Sequence, residues 1–310
     1  MVVREFSWFG HHIHLRTIVI EGEVVNTEPL RIGSGREIAK FSPVDMPILR
    51  VSGMPVIPGS TWKGVFRAAC YRLGLSAGLE NLCQGVPAVQ CMRGREFESI
   101  ERRSLGDEIA EKIKAIAEGR IKVCLLCLIF GSSGFSSHVY FDDSLPIGEY
   151  SIGYRRCVAI DRRTGAAYPR ALYTVEYVEP GARFNFRMVI ENLPNYALGL
   201  LANVFTEIQS GLVKIGGHKS RGFGAIKFNR LKVVVTPYGS GSGVVDGKLV
   251  ALDPIDVDVE WPSESNVVDG DNVWKLFGSL MGVWEKTLQS IISISKNGWN
   301  WTTALKHSSR

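Results

Sequence analysis

Between Ile13 and Val25 the chain is rich in β-branched residues that alternate weakly with polar ones, which predicts a strand partly buried on both faces. The following stretch, Asn26–Pro58, keeps neither a helical nor a strand period. It carries prolines at 29, 43, 47, 55 and 58 and glycines at 33, 35 and 53, and a loop of this length inside a compact domain is usually functional. A helix is predicted to open at Ile57-Pro58-Gly59-Ser60-Thr61, with Ser60 or Thr61 placed to cap it. Trp62, Val65, Phe66, Ala69 and Leu73 form its apolar face, while Lys63 and Arg67, four residues apart, share another. Residues 74–120 read as an insertion that ends in a charged helix, Arg95–Glu118. A continuous apolar run follows at Val123–Gly131, then a strand at Phe135–Phe141 closing on Asp142 and Asp143. Asp161–Gly165 fits a turn, Arg183–Ile190 a strand, and Tyr196–Gln209 a second helix with Leu200, Leu201, Val204, Phe205 and Ile208 on its apolar face. A glycine-dense turn within Gly211–Val235 leads into a last strand containing Ile226 and Phe228. Thr236–Gly247 reads as a linker or hairpin, and a final helix is centred on Val273–Ile292.

Strand, helix, strands, helix, strand is the rhythm of an α+β sandwich with antiparallel strands of ferredoxin-like type. Composition adds little to that picture until it is divided. The 310 residues hold 36 Lys or Arg against 31 Asp or Glu, a formal charge of +5, too mild to identify a nucleic-acid binder. Residues 236–310 contain 6 basic and 9 acidic side chains, so residues 1–235 hold the remaining 30 and 22, a net of +8. The basic character belongs to the first three-quarters of the chain. Apolar residues at 45% and charged ones at 22% exclude wholesale disorder. With no apolar run near the length of a membrane span and no leader pattern at the start, the sequence predicts a soluble, cytoplasmic protein.

Four groups of residues carry candidate chemistry. The turn Gly216-Gly217-His218-Lys219-Ser220-Arg221-Gly222-Phe223-Gly224 interleaves missing side chains with cations, which suits close approach of backbone N–H groups to an anion. Equally, its glycines suit awkward backbone angles and nothing more; GxxxxGK[ST] is absent. The helix start with Lys63 and Arg67 suits a polyphosphate backbone or a solvated face. In the same long loop Asp45 sits between Pro43 and Pro47, a carboxylate able to bind a metal or take a proton, or simply to form a turn. Cys124-x2-Cys127 with Cys83-x7-Cys91 supplies four thiolates for a tetrahedral zinc, although the apolar setting of Cys124 and Cys127 also suits buried core thiols. Finally, Arg155, Arg156, Arg162, Arg163, Arg170, Arg183 and Arg187 face only Asp161, Glu176 and Glu179 over 33 residues. Tyr154, Tyr168, Tyr173 and Tyr177 are interleaved with them, as in single-stranded RNA binders, or as on a charged surface hairpin. His11, His12 and His14 come with no carboxylate pattern, and no Ser-His-Asp or HExxH arrangement is present.

The order of these segments is more specific than any one of them. Leu30-Arg-Ile-Gly33, Asp45-Met-Pro-Ile-Leu49, and Pro55-Val-Ile-Pro-Gly-Ser-Thr-Trp-Lys-Gly-Val-Phe-Arg67 resemble the start of RAMP-superfamily CRISPR-associated proteins. Cys127-Leu-Ile-Phe-Gly131, Phe141-Asp142, Val158–Gly165, Val178–Phe184 and Ile215–Gly224 follow in the family's register. The resemblance covers most of residues 13–230 and is closest to the repeated backbone subunit of type III (Csm-type) effector complexes. It implies a ferredoxin-like (RRM-related) core over residues 1–235, an inserted helical lid at about 74–122, and a protruding thumb hairpin at about 150–180. Residues 236–310 form an acidic C-terminal extension without a counterpart. By position, Arg31, Lys63 and Arg67 would contact guide phosphates. Arg155, Arg156, Arg162, Arg163 and Arg170 would belong to the thumb, and Gly216, Gly217, His218, Lys219, Arg221, Gly222 and Gly224 would support the RNA path. Asp45 matches the loop aspartate that cleaves target RNA, working with a divalent metal such as magnesium; Met46 stands where relatives often have Ser. The implied partners are a CRISPR RNA guide, a target RNA, other CRISPR-associated subunits and further copies or paralogues of the chain, with no membrane. The implied role is antiviral defence, with the subunit an endoribonuclease within its complex or a non-cleaving scaffold. From the residues alone, a small-molecule enzyme using the glycine turn for a phosphorylated substrate remains a rival.

Overall fold

The computed structural model describes residues 5–35, 44–85, 91, 107–239 and 241–306. Its first strand, β1 (Arg16–Asn26), buries alternate residues Ile18, Ile20 and Val24. It starts three residues later than the apolar pattern predicts, because Asn192 takes the preceding backbone: its side-chain oxygen accepts from Leu15 N, and its amide donates to Ile13 O. Among its described residues the long loop forms a short two-stranded ribbon, β2 (Arg50–Val51) and β3 (Met54–Pro55). After it come α1 (Gly59–Ser76), α2 (Asp107–Ala117) and the six-residue α3 (Leu125–Phe130). Residues 95–106 of the expected charged helix lie outside the described residues. All six residues of α3 are buried, which is why its sequence shows an unbroken apolar run. Then follow β4 (Val139–Phe141), β5 (Ile152–Ile160), β6 (Ala167–Val178), β7 (Arg183–Glu191), α4 (Asn195–Gln209) and β8 (Ile226–Pro237).

The main sheet is antiparallel throughout and ordered β12-β8-β1-β7-β4, with β12 being Val267–Asp269. β1 runs from Thr17↔Glu191 to Val25↔Arg183 against β7 and from Arg16↔Pro237 to Asn26↔Ile226 against β8. A bulge between Glu21 and Glu23 breaks the β8 ladder; a Cβ on Gly22 would lie 2.9 Å from Arg230 O, so only glycine lets the strands close there. Trp62 of α1 and Phe205 of α4 meet Phe186 of β7 and Phe228 of β8 in edge-on and tilted contacts, and Phe66 of α1 joins them through Phe205. β5 and β6 form a two-stranded sheet of their own, a hairpin tied to the long loop by isolated bridges from Val175 to Met46 and from Val178 to Leu30.

The acidic C-terminal segment does not stand apart. β9 (Val244–Val245), β10 (Lys248–Leu249) and β11 (Val259–Glu260) make a small sheet, β12 extends the main one, and α5 (Asp271–Lys296) lies on α4. Leu249, Trp261, Val268, Leu276 and Phe277 belong to the same apolar core as β1, β7 and β8. Arg16 fastens the join: its fully buried guanidinium donates to Val250 O, Leu193 O and Asn195 Oδ1. Phe6, Trp8 and Phe9 pack against Trp301 from the far end of the chain.

Candidate functional site

Pro58-Gly59 opens α1, but no side chain of the expected Ser60 or Thr61 caps it. The Asp143 carboxylate accepts from Gly59 N at 2.7 Å instead. A Cβ on Gly59 would overlap the carbonyl oxygen of Phe141, so glycine is needed for β4 to approach the helix start. With that N–H group already answered from within, the helix terminus is a weaker anion site than its sequence suggests.

A groove of about 610 Å³ lies beside it, between α1 and the turn after α4. Ser60, Gly64, Ala68 and Arg72, four residues apart, form one wall; Leu212, Val213, Lys214, Gly216, Lys219 and Ser220 form the other. Small side chains on the α1 stripe leave the width open, and cations stand along it. Burial lowers the Lys63 ammonium, with Arg67 adding to the effect; burial and then Arg72 lower Lys219. Arg72 escaped the sequence reading, and its signal was the four-residue spacing from Ser60.

The glycine turn is built around Arg31. Gly216, at φ +76, brings the turn so close that a Cβ would overlap Arg31 O, and Gly217 N donates to that oxygen at 2.8 Å. The Arg31 guanidinium lies over Gly33 and Gly217 and donates weakly to Met46 O at 3.5 Å. His218, in the left-handed region at φ +59, is held below its ordinary pKa by burial, then by Arg31 and Arg221. Arg221 donates to Tyr173 Oη at 3.0 Å. Gly224 admits Ile215 O, whereas a Cβ on Gly222 would meet nothing. Gly216 and Gly224 of the turn thus solve packing, and Arg31, His218 and Arg221 lie near one another beside it.

The β5–β6 hairpin adjoins the turn. At its base, Arg155 stacks over Phe223 at 4.7 Å and Tyr177 at 5.5 Å. Beyond the base Arg156, Arg162, Arg163 and Arg170 are exposed, as are Tyr154, Val158, Ile160, Tyr168 and Leu172. The Asp161 turn forms as expected, its carboxylate accepting from Arg163 N at 2.8 Å.

Asp45 is exposed and its Oδ2 accepts from Thr174 N at 2.7 Å. Its loop is zipped onto β6: Met46 N donates to Thr174 O, and Glu176 N donates to Met46 O. Glu176, nearly buried, completes the attachment by accepting from Ile48 N at 2.9 Å and pairing with Arg50 through two contacts of 2.8 and 2.9 Å. Neither Arg50 nor Glu176 was singled out from sequence as a site residue. Asp45 belongs to no group of three or more metal-ligating side chains among the described residues, so the expected divalent ion finds no protein-built cage there.

Such a cage exists elsewhere. Cys83, Cys91, Cys124 and Cys127 are buried, free of disulfides, and place their sulfurs within 4.8 Å of one another. Cys83 Sγ lies 2.7, 3.5 and 3.6 Å from Cys127, Cys124 and Cys91. Zinc–sulfur bonds of about 2.3 Å in a tetrahedron require sulfur separations of about 3.8 Å; the 3.5 and 3.6 Å pairs lie near that, the 2.7 Å Cys83–Cys127 pair would have to open, and it is the four-thiol donor set itself that suits zinc. Hydrogen bonds from the other three cysteines lower the Cys83 thiol, while burial raises Cys124. Arg67, expected by resemblance to contact guide phosphates, is turned onto this cluster.

A family model for the RAMP superfamily matches residues 25–227. The chain belongs to the RAMP superfamily. The match closes within β8, so the segment carrying β9 to β12 and α5 lies beyond it in this RAMP protein. Among solved structures, a similar one is a chain from a cryo-electron microscopy structure of the type III-B Cmr-beta complex bound to cognate target RNA. It is 15% identical with a TM-score of 0.42; the alignment covers 70% of this RAMP chain and spans 61% of that one. No match was found among curated proteins. No helix among the described residues is long and apolar enough to cross a membrane.

Proposed function

We propose that this RAMP protein is a guide-RNA-binding backbone subunit of a type III CRISPR interference complex, acting in antiviral defence beside other CRISPR-associated subunits and further copies or paralogues of itself. The observation that carries the reading is the distribution of paired and unpaired cations. Arg120, Arg183, Arg187, Lys214 and Arg230 each sit within 4 Å of a carboxylate. Arg72 and Lys219 in the groove, Arg31 and Arg221 at the glycine turn beside it, Lys63 next to Arg67 on another face of α1, and Arg155, Arg156, Arg162, Arg163 and Arg170 on the hairpin have none among the described residues. Self-repulsion of that kind is relieved by a polyanion, and exposed tyrosines among the hairpin arginines offer bases a stacking surface. The antiparallel order β8-β1-β7-β4, with α1 following β1 and α4 following β7, supports a ferredoxin-like core. On this reading α2 and α3 form the lid and β5–β6 the thumb.

Asp45 would cleave the guide-paired target RNA. Its carboxylate, with a divalent ion supplying Lewis-acid help, would draw the proton from a 2′-hydroxyl; the 2′-oxygen bonds to the adjacent phosphorus, the bond to the 5′-oxygen breaks, and that oxygen leaves with a proton from water. A divalent ion there would take its remaining ligands from the RNA. Binding is tested with Arg72→Ala plus Lys219→Ala, the two cations facing each other across the groove, which should weaken single-stranded RNA binding and flatten its salt dependence by about 0.7 per lost phosphate contact; an unchanged slope removes the groove from the RNA path. Cleavage at the wild-type rate by assembled Asp45→Ala complex would leave a non-cleaving scaffold. Isolated protein that ignores RNA yet turns over a phosphorylated small molecule would favour the enzyme reading.

The thiol cluster supports a second assignment, a structural zinc held by Cys83, Cys91, Cys124 and Cys127. It would tie the segment after α1 to the start of α3. Elemental analysis should return one zinc per chain, and protein without stoichiometric metal would refute it.

A further inference from the structure

Arg67 sits one turn after Lys63 on α1, and its position in sequence marks it as a phosphate ligand. The structure assigns it differently. Its Nη1 donates to Gly131 O at 2.8 Å, and its Nη2 points at the cysteines, 3.3 Å from Cys127 Sγ and 3.9 Å from Cys83 Sγ. The backbone after Cys83 wraps the guanidinium so tightly that a Cβ on Gly85 would overlap its Nε and Cζ. Phe130 lies beneath it, with Cζ 6.0 Å from the ring centre. Among the described residues no carboxylate lies within 4 Å of it, and the sulfurs of Cys127 and Cys83 are the groups its Nη2 meets.

We propose that Arg67 is a positioning residue of the thiolate centre rather than an RNA ligand, an inference that rests on the zinc assignment. Four thiolates around a divalent cation carry a net double negative charge, and this centre is buried. A guanidinium that cannot lose its proton offsets half of that charge and donates directly to two of the sulfurs. Its second arm, on Gly131 O, anchors the turn that ends α3, the helix carrying Cys127. The centre and the groove thus share α1: Arg67 serves the metal from one face, while Ser60, Gly64, Ala68 and Arg72 line the groove on another.

The test compares full-length wild type with Arg67→Met, which keeps length without charge, and Arg67→Lys, which keeps charge without the two-armed geometry. Zinc affinity is measured by competition with a chromogenic chelator, and single-stranded RNA affinity as a function of salt. Arg67→Met should lose about 10- to 100-fold in zinc affinity, with Arg67→Lys between it and wild type. RNA affinity of the zinc-loaded proteins and its salt slope should stay within twofold of wild type. Unchanged zinc affinity in both variants, or a shallower RNA salt slope in Arg67→Lys and Arg67→Met alike, would overturn the assignment while leaving the zinc site intact. Wild-type protein that binds no zinc would overturn both. Should Arg67→Met fail to fold, Arg67→Lys alone decides between these outcomes.

Discussion

Gly216 and Gly222 occupy the same turn with nearly the same backbone, φ +76 and +74, yet only one of them touches anything. An alanine at either position pays for the left-handed conformation, about 1 kcal/mol after the entropy it removes from the unfolded chain is credited. At Gly222 nothing further is expected, since an added Cβ meets open space. At Gly216 the methyl overlaps a backbone oxygen, Arg31 O, which cannot rotate away. The strands of chain must separate, the 2.8 Å bond from Gly217 N to Arg31 O breaks, and two half-buried polar groups lose their partner. That adds about 2 kcal/mol, for a total near 3 kcal/mol. At about 2.1 cal/mol/K of unfolding entropy per residue over 310 residues, each kcal/mol moves the melting temperature by about 1.5 °C. Differential scanning calorimetry should therefore show Gly222→Ala lower by about 1.5 °C and Gly216→Ala by about 4 to 5 °C. RNA binding should follow the same order, because only Gly216→Ala displaces Arg31 from the groove edge. Equal losses in the two variants would refute the close-approach argument, leaving backbone strain alone.

Replacing Glu176 by Gln removes a nearly buried charge from Arg50, which is partly exposed and can rehydrate; a cost of about 2 kcal/mol is expected in urea unfolding, together with slower cleavage by assembled complex. Burial opposes ionisation of Glu176, but hydrogen bonds from Arg50 and Ile48 outweigh it and hold the pKa below 4.5, so this contribution is present above that value and lost as pH falls through the folded pKa. His138 has the opposite character: burial, then His11, lowers it from 6.5 to about 3, and its Nδ1–H donates to Glu191 O. The unfolded chain binds the proton first, so stability should fall by about 1.4 kcal/mol per unit as pH drops from 6.5 towards 3, and His138→Asn should flatten that slope. Chelation of the proposed zinc should lower the melting temperature of wild type and expose Cys83 and Cys127 to thiol reagents, whereas protein indifferent to chelators would argue against a structural metal.

Much of the fold was legible because α1, β1, β7 and β8 bury one face more than the other, which leaves a period in the sequence, while α4, buried on nearly all sides, showed itself through its density of apolar residues. The cap of α1 was not, since the carboxylate that serves it arrives from Asp143, 84 residues later. Nor could periodicity reveal β12 or the join at Arg16, where an apolar-strand signal hides a buried guanidinium. At the site, spacing found the four cysteines and the cations of the glycine turn. It placed Lys63 and Arg67 together, but α1 is enclosed on several sides, and a shared face in sequence does not mean a shared neighbour. Arg50 and Glu176 were invisible because their partnership spans 126 residues.

The position of β1 also shapes how the molecule is made. It is the first strand synthesised, yet both its neighbours, β7 and β8, come late: Glu191, which closes the β7 ladder, follows Asn26 by about 165 residues. At ribosomal rates of about 5–20 residues per second, the nascent strand waits about 8 to 33 s with both edges unsatisfied and Ile18, Ile20 and Val24 uncovered. During that interval it is the natural resting place for a chaperone and, at high expression, the segment through which unfinished chains adhere to one another.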